Sequence, residues 1–292
     1  MKIVDKNFDI KGVSIILGFF DGIHCGHRAV INQAVSFASK NDVKTLLLTF
    51  KNSPAKYFNK DFSYIYPREI SYEIIESLGV DYLLEIDFEE VVDITAEDYL
   101  KILVEKYKPI SITTGFNHTF GRKKLGNPEF LSKMSVEYNY EYFCVQPCVV
   151  ENQVVSSTLI KDKIVSGDVV EANELLNQEF ALKIKVIEGE KIGRKIGFPT
   201  ANSEYPNDIV KLPYGVYKIK VLDKIAIMNW GVKPTFNSKK ELLEIHIPNL
   251  DENLYGKVLE IKVLDKIRNE KKFDSIEDLI KQIKEDIKCL EL

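Results

Sequence analysis

Two histidines stand three residues apart within a glycine-rich segment near the start of the 292-residue chain. His24 and His27 are accompanied by Gly22 and Gly26, which let a ligand approach the backbone closely. A spacing of three places both rings on one face of a helix, and the start of a helix attracts phosphate through its N–H groups and its dipole. Two imidazoles over a triphosphate could stabilise the charge that grows on the α-phosphate during in-line attack.

A second glycine-rich segment, which contains Gly193 and Gly197, follows about one domain length later. Glycines allow a loop to fold tightly over phosphates. Thr200 and Asn202 offer neutral oxygens suited to a magnesium ion that ATP already binds. The segment lacks the Gly-Lys-(Ser/Thr) ending of a Walker loop, and on its own it fits an ordinary turn equally well. The chain is therefore expected to hold two separate phosphate sites.

The composition is that of a globular protein with balanced charge. Hydrophobic residues make up 45% and charged residues 29%, and the net charge is −4. This balance excludes a surface that coats nucleic acid. No apolar leader follows Met1 and no apolar run approaches the length of a membrane span, so we expect a cytoplasmic protein that binds neither membrane nor nucleic acid.

The four cysteines carry no clear metal or disulfide signature. Cys25, Cys144, Cys148 and Cys289 include no Cys-x-x-Cys pair. The spacing of Cys144 and Cys148 is a weak indication of either a zinc site or a disulfide. We therefore expect buried or free thiols.

The first 180 residues alternate between buried strands and helices. Val13–Phe19 and Val43–Phe50 are apolar runs typical of buried strands, and Arg28–Lys40 has helical apolar spacing. A strand, a helix and a strand form a βαβ unit, which predicts a parallel sheet. The pattern recurs in a helix over Ile70–Leu78, a strand over Tyr82–Ile86, a helix over Thr95–Tyr107, strands over Pro109–Thr114 and Glu141–Val150, and two helices between Ser156 and Leu176.

From about Ala181 the chain changes to short alternating segments separated by turn residues. This pattern is typical of a small antiparallel barrel or sandwich. A final helix is predicted from a capping box at Ser275 and Asp278 and from the apolar stripe that follows. The domain boundary is placed near residue 180, at Asn177–Glu179.

The histidine segment resembles the His-x-Gly-His nucleotidyltransferases and, more narrowly, the prokaryotic bifunctional FAD synthetases. Gly115–Gly121 is similar to that family's flavin-site motif, and Val155–Lys161 to its Ser-Ser-Thr motif for ATP phosphates. The resemblance implies catalytic roles for His24 and His27. It also implies ATP contacts from Gly18, Phe19, Asp21, Gly22, Gly26, Ser156, Ser157, Thr158 and Lys161, and flavin contacts from Asn117, Phe120 and Gly121.

The second glycine-rich segment resembles the riboflavin kinase signature, whose core is Gly-Phe-Pro-Thr-Ala-Asn. Similar segments follow in the family's order and include Asn229–Phe236 and Ile267–Phe273. The resemblance implies that Glu244 is the general base of phosphoryl transfer. Strand alternation alone also fits an outward-facing Glu244, and Arg268 alone also fits a solvated charge. The implied ATP contacts are Gly193, Arg194, Gly197, Pro199, Thr200, Asn202 and Asn229, the implied metal ligands Thr200 and Asn202, and the implied flavin contacts Arg268 and Glu270.

These resemblances cover nearly the whole chain and imply two consecutive steps of FAD biosynthesis. A Rossmann-like α/β domain over residues 1–180 would join FMN to AMP from ATP and release pyrophosphate. A six-stranded antiparallel β-barrel with a terminal helix, over residues 181–292, would phosphorylate riboflavin to FMN. Both steps would use ATP and Mg²⁺, and we expect a monomer or a weak homo-oligomer.

Two alternatives stay open at this stage. The family usually has phenylalanine at the position of His118, arginines at those of Leu159 and Lys161, and a histidine where Ser53 stands. These departures leave open a riboflavin kinase whose adenylyltransferase domain is weakened or repurposed. The other alternative is a flavin-binding regulatory protein, against which the nearly complete kinase motif argues.

Overall fold

The computed structural model describes residues 1–58, 61–189, 193, 196–234, 239–250 and 252–290. Its contacts divide the chain into two compact units, Met1–Ser63 with Arg68–Ser156 and Tyr64–Pro67 with Ser157–Leu292. The segment at residue 64 joins the second unit because Tyr64 forms a parallel bridge with Ile209. Residues 157–179 also lie in the second unit, and the functional domain boundary near residue 180 remains a prediction.

The first unit is built on a six-stranded sheet whose neighbouring strands are parallel. Across the sheet the order is β1-β4-β3-β2-β5-β6. All four residues of β2 are buried, as expected in a sheet covered on both faces. The predicted parallel α/β architecture is therefore confirmed. The strands are β1 (Lys2–Val4), β2 (Ser14–Leu17), β3 (Thr45–Phe50), β4 (Tyr82–Ile86), β5 (Ser111–Gly115) and β6 (Glu141–Val145).

The helices of the first unit form where apolar faces and capping residues favour them. They are α1 (Cys25–Lys40), α2 (Pro54–Phe58), α3 (Arg68–Ser77), α4 (Phe88–Val91), α5 (Ala96–Tyr107) and α6 (Pro128–Tyr138). The buried face of α1 includes Ile31, Ala34 and Ala38, the spacing of an amphipathic helix. Thr95 caps α5, because its Oγ1 accepts a hydrogen bond from Asp98 N at 3.1 Å. Among the described residues, no helix is long and apolar enough to cross a membrane.

The strand order of this sheet reverses between β2 and β5. β3 and β4 lie on one side of β2, whereas β5 and β6 lie on the other. Open α/β sheets bind ligands in the crevice at such a reversal, beyond the carboxyl ends of the strands. Leu17 ends β2 and Gly115 ends β5, so the segments after both strands begin at this crevice.

The second unit is an antiparallel barrel with a terminal helix. Its strands follow the order β10-β13-β12-β11-β14-β9. Beyond β9, Ile187 N donates to Asn202 O in β10 at 2.8 Å, which joins the two outer strands. The predicted six-stranded barrel is therefore confirmed. The elements are α7 (Ser157–Ser166), α8 (Val169–Leu176), β9 (Phe180–Lys185), β10 (Ala201–Ser203), β11 (Gly215–Val221), β12 (Lys224–Pro234), β13 (Lys239–His246), β14 (Val258–Asn269) and α9 (Ile276–Lys288).

One predicted strand is interrupted. The sequence pattern predicts a single strand over Glu141–Val150, whereas β6 ends at Val145. A separate hairpin follows, formed by β7 (Val149–Val150) and β8 (Gln153–Val154). Pro147 separates the two segments, since proline has no N–H to donate to a strand ladder.

Candidate functional sites

The first candidate site begins at the turn between β2 and α1. Gly22 has a φ of +83° and Ile23 a φ of +43°, so the chain passes through the left-handed region, which glycine enters without strain. The turn brings His24 to the N-cap of α1, with φ −67° and ψ 176°. The histidine segment therefore lies at the start of a helix, at the carboxyl edge of the parallel sheet.

The rings of His24 and His27 stack on each other. Their centroids are 3.9 Å apart and their planes meet at 22°. Gly26 N donates to His24 Nδ1 at 3.2 Å, which fixes the first ring as the cap of α1. Phe20 contacts the ring of His27 edge-on, with centroids 5.3 Å apart. The two imidazoles therefore lie together, as their spacing predicts.

Burial keeps both histidines uncharged at neutral pH. It lowers the pKa of His24 to about 4. It also lowers the pKa of His27 well below its usual value, and the neighbouring His24 lowers it further. Among the described residues, His27 Nδ1 has no hydrogen-bond partner. A neutral imidazole can donate one N–H to a phosphate oxygen, so the pair offers a ligand hydrogen bonds without adding full charges.

The other predicted ATP-binding residues of this segment pack around the same turn. A Cβ on Gly18 would lie 2.8 Å from Phe20 Cζ. A Cβ on Gly26 would lie 3.2 Å from the ring of the capping histidine. Phe19 is half-buried and Asp21 is buried. Glycine at these two positions therefore lets the aromatic rings approach the backbone.

The predicted flavin-binding residues lie in the loop after β5. Gly121 has a φ of +71°, and a Cβ there would lie 2.7 Å from Ala96 N, so the loop requires glycine. Phe120 packs against Tyr99, with ring centroids 5.4 Å apart. Asn117 is exposed. Phe120 and Gly121 therefore shape the loop, and Asn117 is the member of this set that is open to a ligand.

At two positions the sequence departs from the FAD synthetase motifs, and the polar side chains there contact other residues of the protein. Ser53 is 1% exposed, and its Oγ accepts a hydrogen bond from Ala55 N at 3.1 Å at the start of α2. His118 stacks on Phe120 with centroids 5.7 Å apart. Burial lowers the pKa of His118 to about 4, and its Nε2 has no partner within the described part of the chain. Ser53 therefore caps a helix and brings no imidazole to the site.

The predicted phosphate motif around residues 156–161 falls where the first unit ends. Ser156 is the last residue of the first unit. Ser157, Thr158 and Lys161 lie in α7 of the second unit. Their role in holding ATP remains a prediction.

Three polar residues of the second candidate site lie opposite one another on neighbouring strands. Asn202 of β10 pairs with Glu244 of β13, and Asn229 of β12 pairs with the same glutamate from the other side. Asn229 Nδ2 donates to Glu244 Oε2 at 3.4 Å. The strand register therefore places the predicted base between two asparagines.

The glycine-rich loop before β10 is held by close backbone contacts. Phe198 N donates to Gly193 O at 2.8 Å, and a Cβ on Gly193 would lie 2.3 Å from Phe198 O. Gly197 has a φ of +87°, and Pro199 leads into β10. The predicted ATP contact Arg194 lies outside the described residues.

Two cavities of the second unit share Thr200 as a wall residue. The larger, of about 570 Å³, is lined by apolar side chains such as Val186 and Ile245 and by polar ones such as Glu252 and Asn253. The smaller, of about 370 Å³, is lined by Glu244 and Arg268 among others. Both volumes are in the range of small-molecule sites. Because Thr200 lines both cavities, ligands in the two cavities would both contact this residue.

Arg268 and Glu270 line the smaller cavity and are both held by protein groups. Arg268 Nη2 donates to Asp286 Oδ2 at 2.8 Å. Glu270 Oε1 accepts a hydrogen bond from Val232 N at 3.2 Å, and a Cβ on Gly231 would lie 2.4 Å from that oxygen. These contacts fix the two predicted flavin-binding side chains in the cavity wall before any ligand arrives.

Comparison with known proteins identifies both units. A family model described as FAD synthetase matches residues 7–159, and one described as riboflavin kinase matches residues 176–291. A bifunctional riboflavin kinase/FMN adenylyltransferase from Buchnera aphidicola subsp. Schizaphis graminum is 33% identical, and the alignment covers 99% of this chain and 98% of that protein. The chain belongs to the bifunctional riboflavin kinase/FMN adenylyltransferase family.

Other members of the riboflavin kinase/FMN adenylyltransferase family are similar over nearly their full length. The Listeria monocytogenes protein is 32% identical, covering 97% of this chain and 92% of its own. The Escherichia coli K12 protein is 28% identical, covering 94% and 91%. A solved structure described as a macrolide-efflux protein from Streptococcus pneumoniae has a TM-score of 0.88 and 28% identity over 99% of this chain and 98% of that one. The similarity in fold therefore extends over nearly the whole chain.

The expectation that the cysteines are thiols is wrong for two of the four. Cys25 and Cys148 form a disulfide, with Cα atoms 6.1 Å apart and 123 residues between them in sequence. Cys144 and Cys289 are free. Sequence spacing could not reveal the pair, because only the fold brings the end of β6 beside the start of α1. Cys25 lies between His24 and His27, within the histidine motif.

Two further features of the family's candidate sites were not predicted. Asp286 of α9 lines the smaller cavity and is 4% exposed. In the sequence, the pattern that could have revealed it is a carboxylate four residues after Gln282, beside the apolar stripe of the helix. In the first unit, Phe58 is 72% exposed and contacts Phe88, with centroids 5.8 Å apart. These rings follow β3 and β4, and exposed aromatic faces suit a planar ligand.

Proposed function

We propose that this chain phosphorylates riboflavin to FMN in its second unit and adenylylates FMN to FAD in its first unit. Relatives that align over nearly the whole chain carry both activities in their names. The proposal is carried by the register of Asn202, Glu244 and Asn229 and by the two cavities that share Thr200 as a wall residue. A phosphotransferase needs a base at the point where donor and acceptor meet.

In the kinase step, Glu244 accepts the proton of the ribityl 5′-hydroxyl as that oxygen attacks the γ-phosphorus of ATP, and ADP leaves. Asn229, which donates to Glu244 Oε2 at 3.4 Å, orients the carboxylate. ATP occupies the larger cavity, and riboflavin occupies the smaller one with its ring against Leu279 and Ile283 of α9. Thr200, which lines both cavities, lies between the two substrates.

Magnesium fits beside Thr200 and Asn202. Thr200 and Asn202 supply neutral oxygens, a ligand type that Mg²⁺ accepts together with ATP phosphates. The two side chains lie against glycines: a Cβ on Gly189 would lie 2.2 Å from Asn202 Nδ2, and a Cβ on Gly193 would lie 3.3 Å from Thr200 Oγ1. The glycines therefore leave room for both side chains. When bound, the ion neutralises charge on the transferring phosphate.

In the adenylyl step, the start of α1 holds the triphosphate of ATP through its backbone N–H groups. An oxygen of the FMN phosphate attacks the α-phosphorus, and pyrophosphate leaves. His24 and His27, whose lowered pKa values keep them neutral, donate hydrogen bonds to the charge that develops. The flavin lies at the loop after β5, where Asn117 is exposed.

The test is chromatography of the full-length protein with riboflavin, ATP and Mg²⁺. We expect FMN to appear first and FAD to accumulate on longer incubation. FMN without FAD would support a kinase whose first unit is repurposed. Flavin binding without either product would support a regulatory protein and contradict the proposed function.

We also propose a cytoplasmic protein that acts as a monomer or weak homo-oligomer on small molecules. Riboflavin, FMN and ATP are all small molecules, and the net charge of −4 gives no broad basic surface for nucleic acid. Light scattering coupled to size-exclusion chromatography measures the oligomeric state.

A further inference from the structure

The disulfide between Cys25 and Cys148 lies inside the histidine site. Cys25 is the first residue of α1 and stands between His24 and His27. Cys148 follows β6 and precedes the β7–β8 hairpin. Both cysteines are half-buried, so neither residue is sealed from solvent.

The bond fixes the base of the β7–β8 hairpin to the start of α1. Val155 N donates to Cys148 O at 2.9 Å, which closes the hairpin at its base. A Cβ on Gly26 would lie 3.9 Å from Cys148 Cβ and 3.2 Å from His24 Cε1. A methyl group on Gly26 would therefore just reach the hairpin base, which lies beside the turn that carries His24 and His27.

The position of Cys25 favours thiol–disulfide exchange. The N–H groups and dipole at the start of a helix stabilise a thiolate, so Cys25 is a good leaving group when a thiolate attacks Cys148 Sγ. β7 and β8 have two residues each, and all four are exposed. So short a hairpin buries little apolar surface of its own and depends on its attachment.

We propose that Cys25 and Cys148 form a reversible thiol–disulfide switch that sets the affinity of the adenylyltransferase site for ATP. The proposal rests on the proposed function of the first unit. In the bonded state the hairpin base is held against the helix start where the phosphates bind. In the open state the hairpin must be ordered when ATP binds, and that ordering weakens binding.

The reaction that opens the switch uses a dithiol reductant. One thiolate of the reductant attacks Cys148 Sγ, the S–S bond breaks, and Cys25 leaves as a thiolate. The second thiol of the reductant then attacks the mixed disulfide and releases Cys148. Two electrons pass to the protein, the reductant becomes a disulfide, and its two protons end on the two cysteines.

The test measures how FAD formation from FMN depends on ATP in two redox states of the full-length protein. The protein is oxidised with glutathione disulfide or reduced with a dithiol, and the reagent is removed before the assay. Thiol titration is expected to find the two free cysteines in oxidised protein and all four in reduced protein. We expect the KM for ATP in FAD formation to be about 3- to 10-fold lower in oxidised protein, and the KM for ATP in FMN formation to stay constant.

Serine variants assign the effect to this bond. Cys148→Ser is expected to show the reduced-state KM under both conditions. Cys144→Ser removes a free thiol from the adjacent strand β6 and is expected to respond like the parent protein. Equal KM values in the two states, or a response that persists in Cys148→Ser, would overturn the switch.

A second measurement separates the switch from the proposed function. If no FAD forms in either state, the proposed adenylyl transfer is wrong, and amide hydrogen exchange of residues 149–154 in the presence of ATP decides the switch. Slower exchange in oxidised than in reduced protein supports it. Equal exchange overturns it.

Discussion

Arg268 and Asp286 are joined by a fork of hydrogen bonds at the wall of the smaller cavity. Arg268 Nε lies 2.9 Å from Asp286 Oδ1, and Nη2 lies 2.8 Å from Oδ2. Gln282 Nε2 donates to the same Oδ1 at 3.0 Å, and Asp286 is 4% exposed. The pair ties β14 to α9, so the last helix of the chain holds the guanidinium that is predicted to contact flavin.

Asp286→Asn is expected to weaken riboflavin binding more than ATP binding. The amide keeps the shape of the carboxylate but loses the charge that pairs with Arg268, and a mostly buried guanidinium is then left without a counter-ion. We expect the KM for riboflavin to rise about tenfold or more while the KM for ATP stays nearly constant. Initial rates of FMN formation measure both values.

The matched control is Glu285→Gln. It removes the same charge from the adjacent residue of α9, whose side chain is exposed, and both KM values should be unchanged. An equal rise of both KM values in Asp286→Asn, together with a lower Tm, would indicate a disrupted barrel and would argue against a positioning role.

Glu244→Gln is expected to abolish riboflavin phosphorylation and to spare FAD formation from added FMN. The amide fills the same space beside Asn229 but cannot accept the proton of the ribityl hydroxyl. We expect kcat for FMN formation to fall about 100-fold or more, as measured by chromatography of both flavin products. Loss of both activities in a folded variant would contradict independent sites.

His27→Ala is expected to give the reverse result. The variant loses one of the two stacked imidazoles and with it a hydrogen-bond donor to the reacting phosphate. FAD formation should fall about 100-fold or more, and riboflavin phosphorylation should proceed at the parent rate. A kinase defect in this variant would mean that the two activities are not assigned to the correct units.

Contiguous patterns allowed part of the two sites to be predicted. The histidine turn could be placed because its glycines, its cap and the helical spacing that follows all lie within one short segment. The alternation of the second half likewise predicted the barrel. By contrast, the pairing of Asn202 with Glu244 depends on strand register, which local sequence does not determine on its own.

Contacts between residues far apart in the chain account for most of what the prediction from sequence got wrong or missed. Cys25 and Cys148 are 123 residues apart in sequence, and Arg268 and Asp286 meet only because α9 packs beside the barrel. Neither pair leaves a local signature, since each residue type fits its own segment without the partner. Ser53 shows a related difficulty: the sequence revealed that a histidine is missing, but its role as the cap of α2 required the structure.

Gly121→Ala is expected to destabilise the first unit more than Gly12→Ala. Both glycines have positive φ, of +71° and +69°, so both substitutions strain the backbone by about 1 kcal/mol. At Gly121 the new Cβ would also lie 2.7 Å from Ala96 N, whereas nothing lies within 4 Å at Gly12. We expect Gly121→Ala to lower the free energy of unfolding by about 3 kcal/mol, as measured by denaturant unfolding. Equal losses in the two variants would show that the backbone at Ala96 moves away from the new methyl group without loss of stability.

Acidification is expected to destabilise the first unit through its buried histidines. Burial lowers the pKa of His24 and of His118 to about 4, whereas in the unfolded chain both have a pKa near 6.5. The unfolded chain therefore binds protons that the folded protein does not, so stability is highest above pH 6.5 and falls as the pH drops toward 4. Between pH 7.5 and pH 5.5 we expect a loss of about 1 kcal/mol per histidine, measured by urea unfolding.

His118→Phe tests the origin of this pH dependence. Phenylalanine keeps the stacking on Phe120 that His118 makes but has no group to protonate. The variant should match the parent near pH 7.5, and between pH 7.5 and pH 5.5 it should lose about 1 kcal/mol less than the parent does. An unchanged pH dependence would mean that His118 is protonated as readily in the folded protein as in the unfolded chain, and the loss of stability would then have to come from His24 and His27.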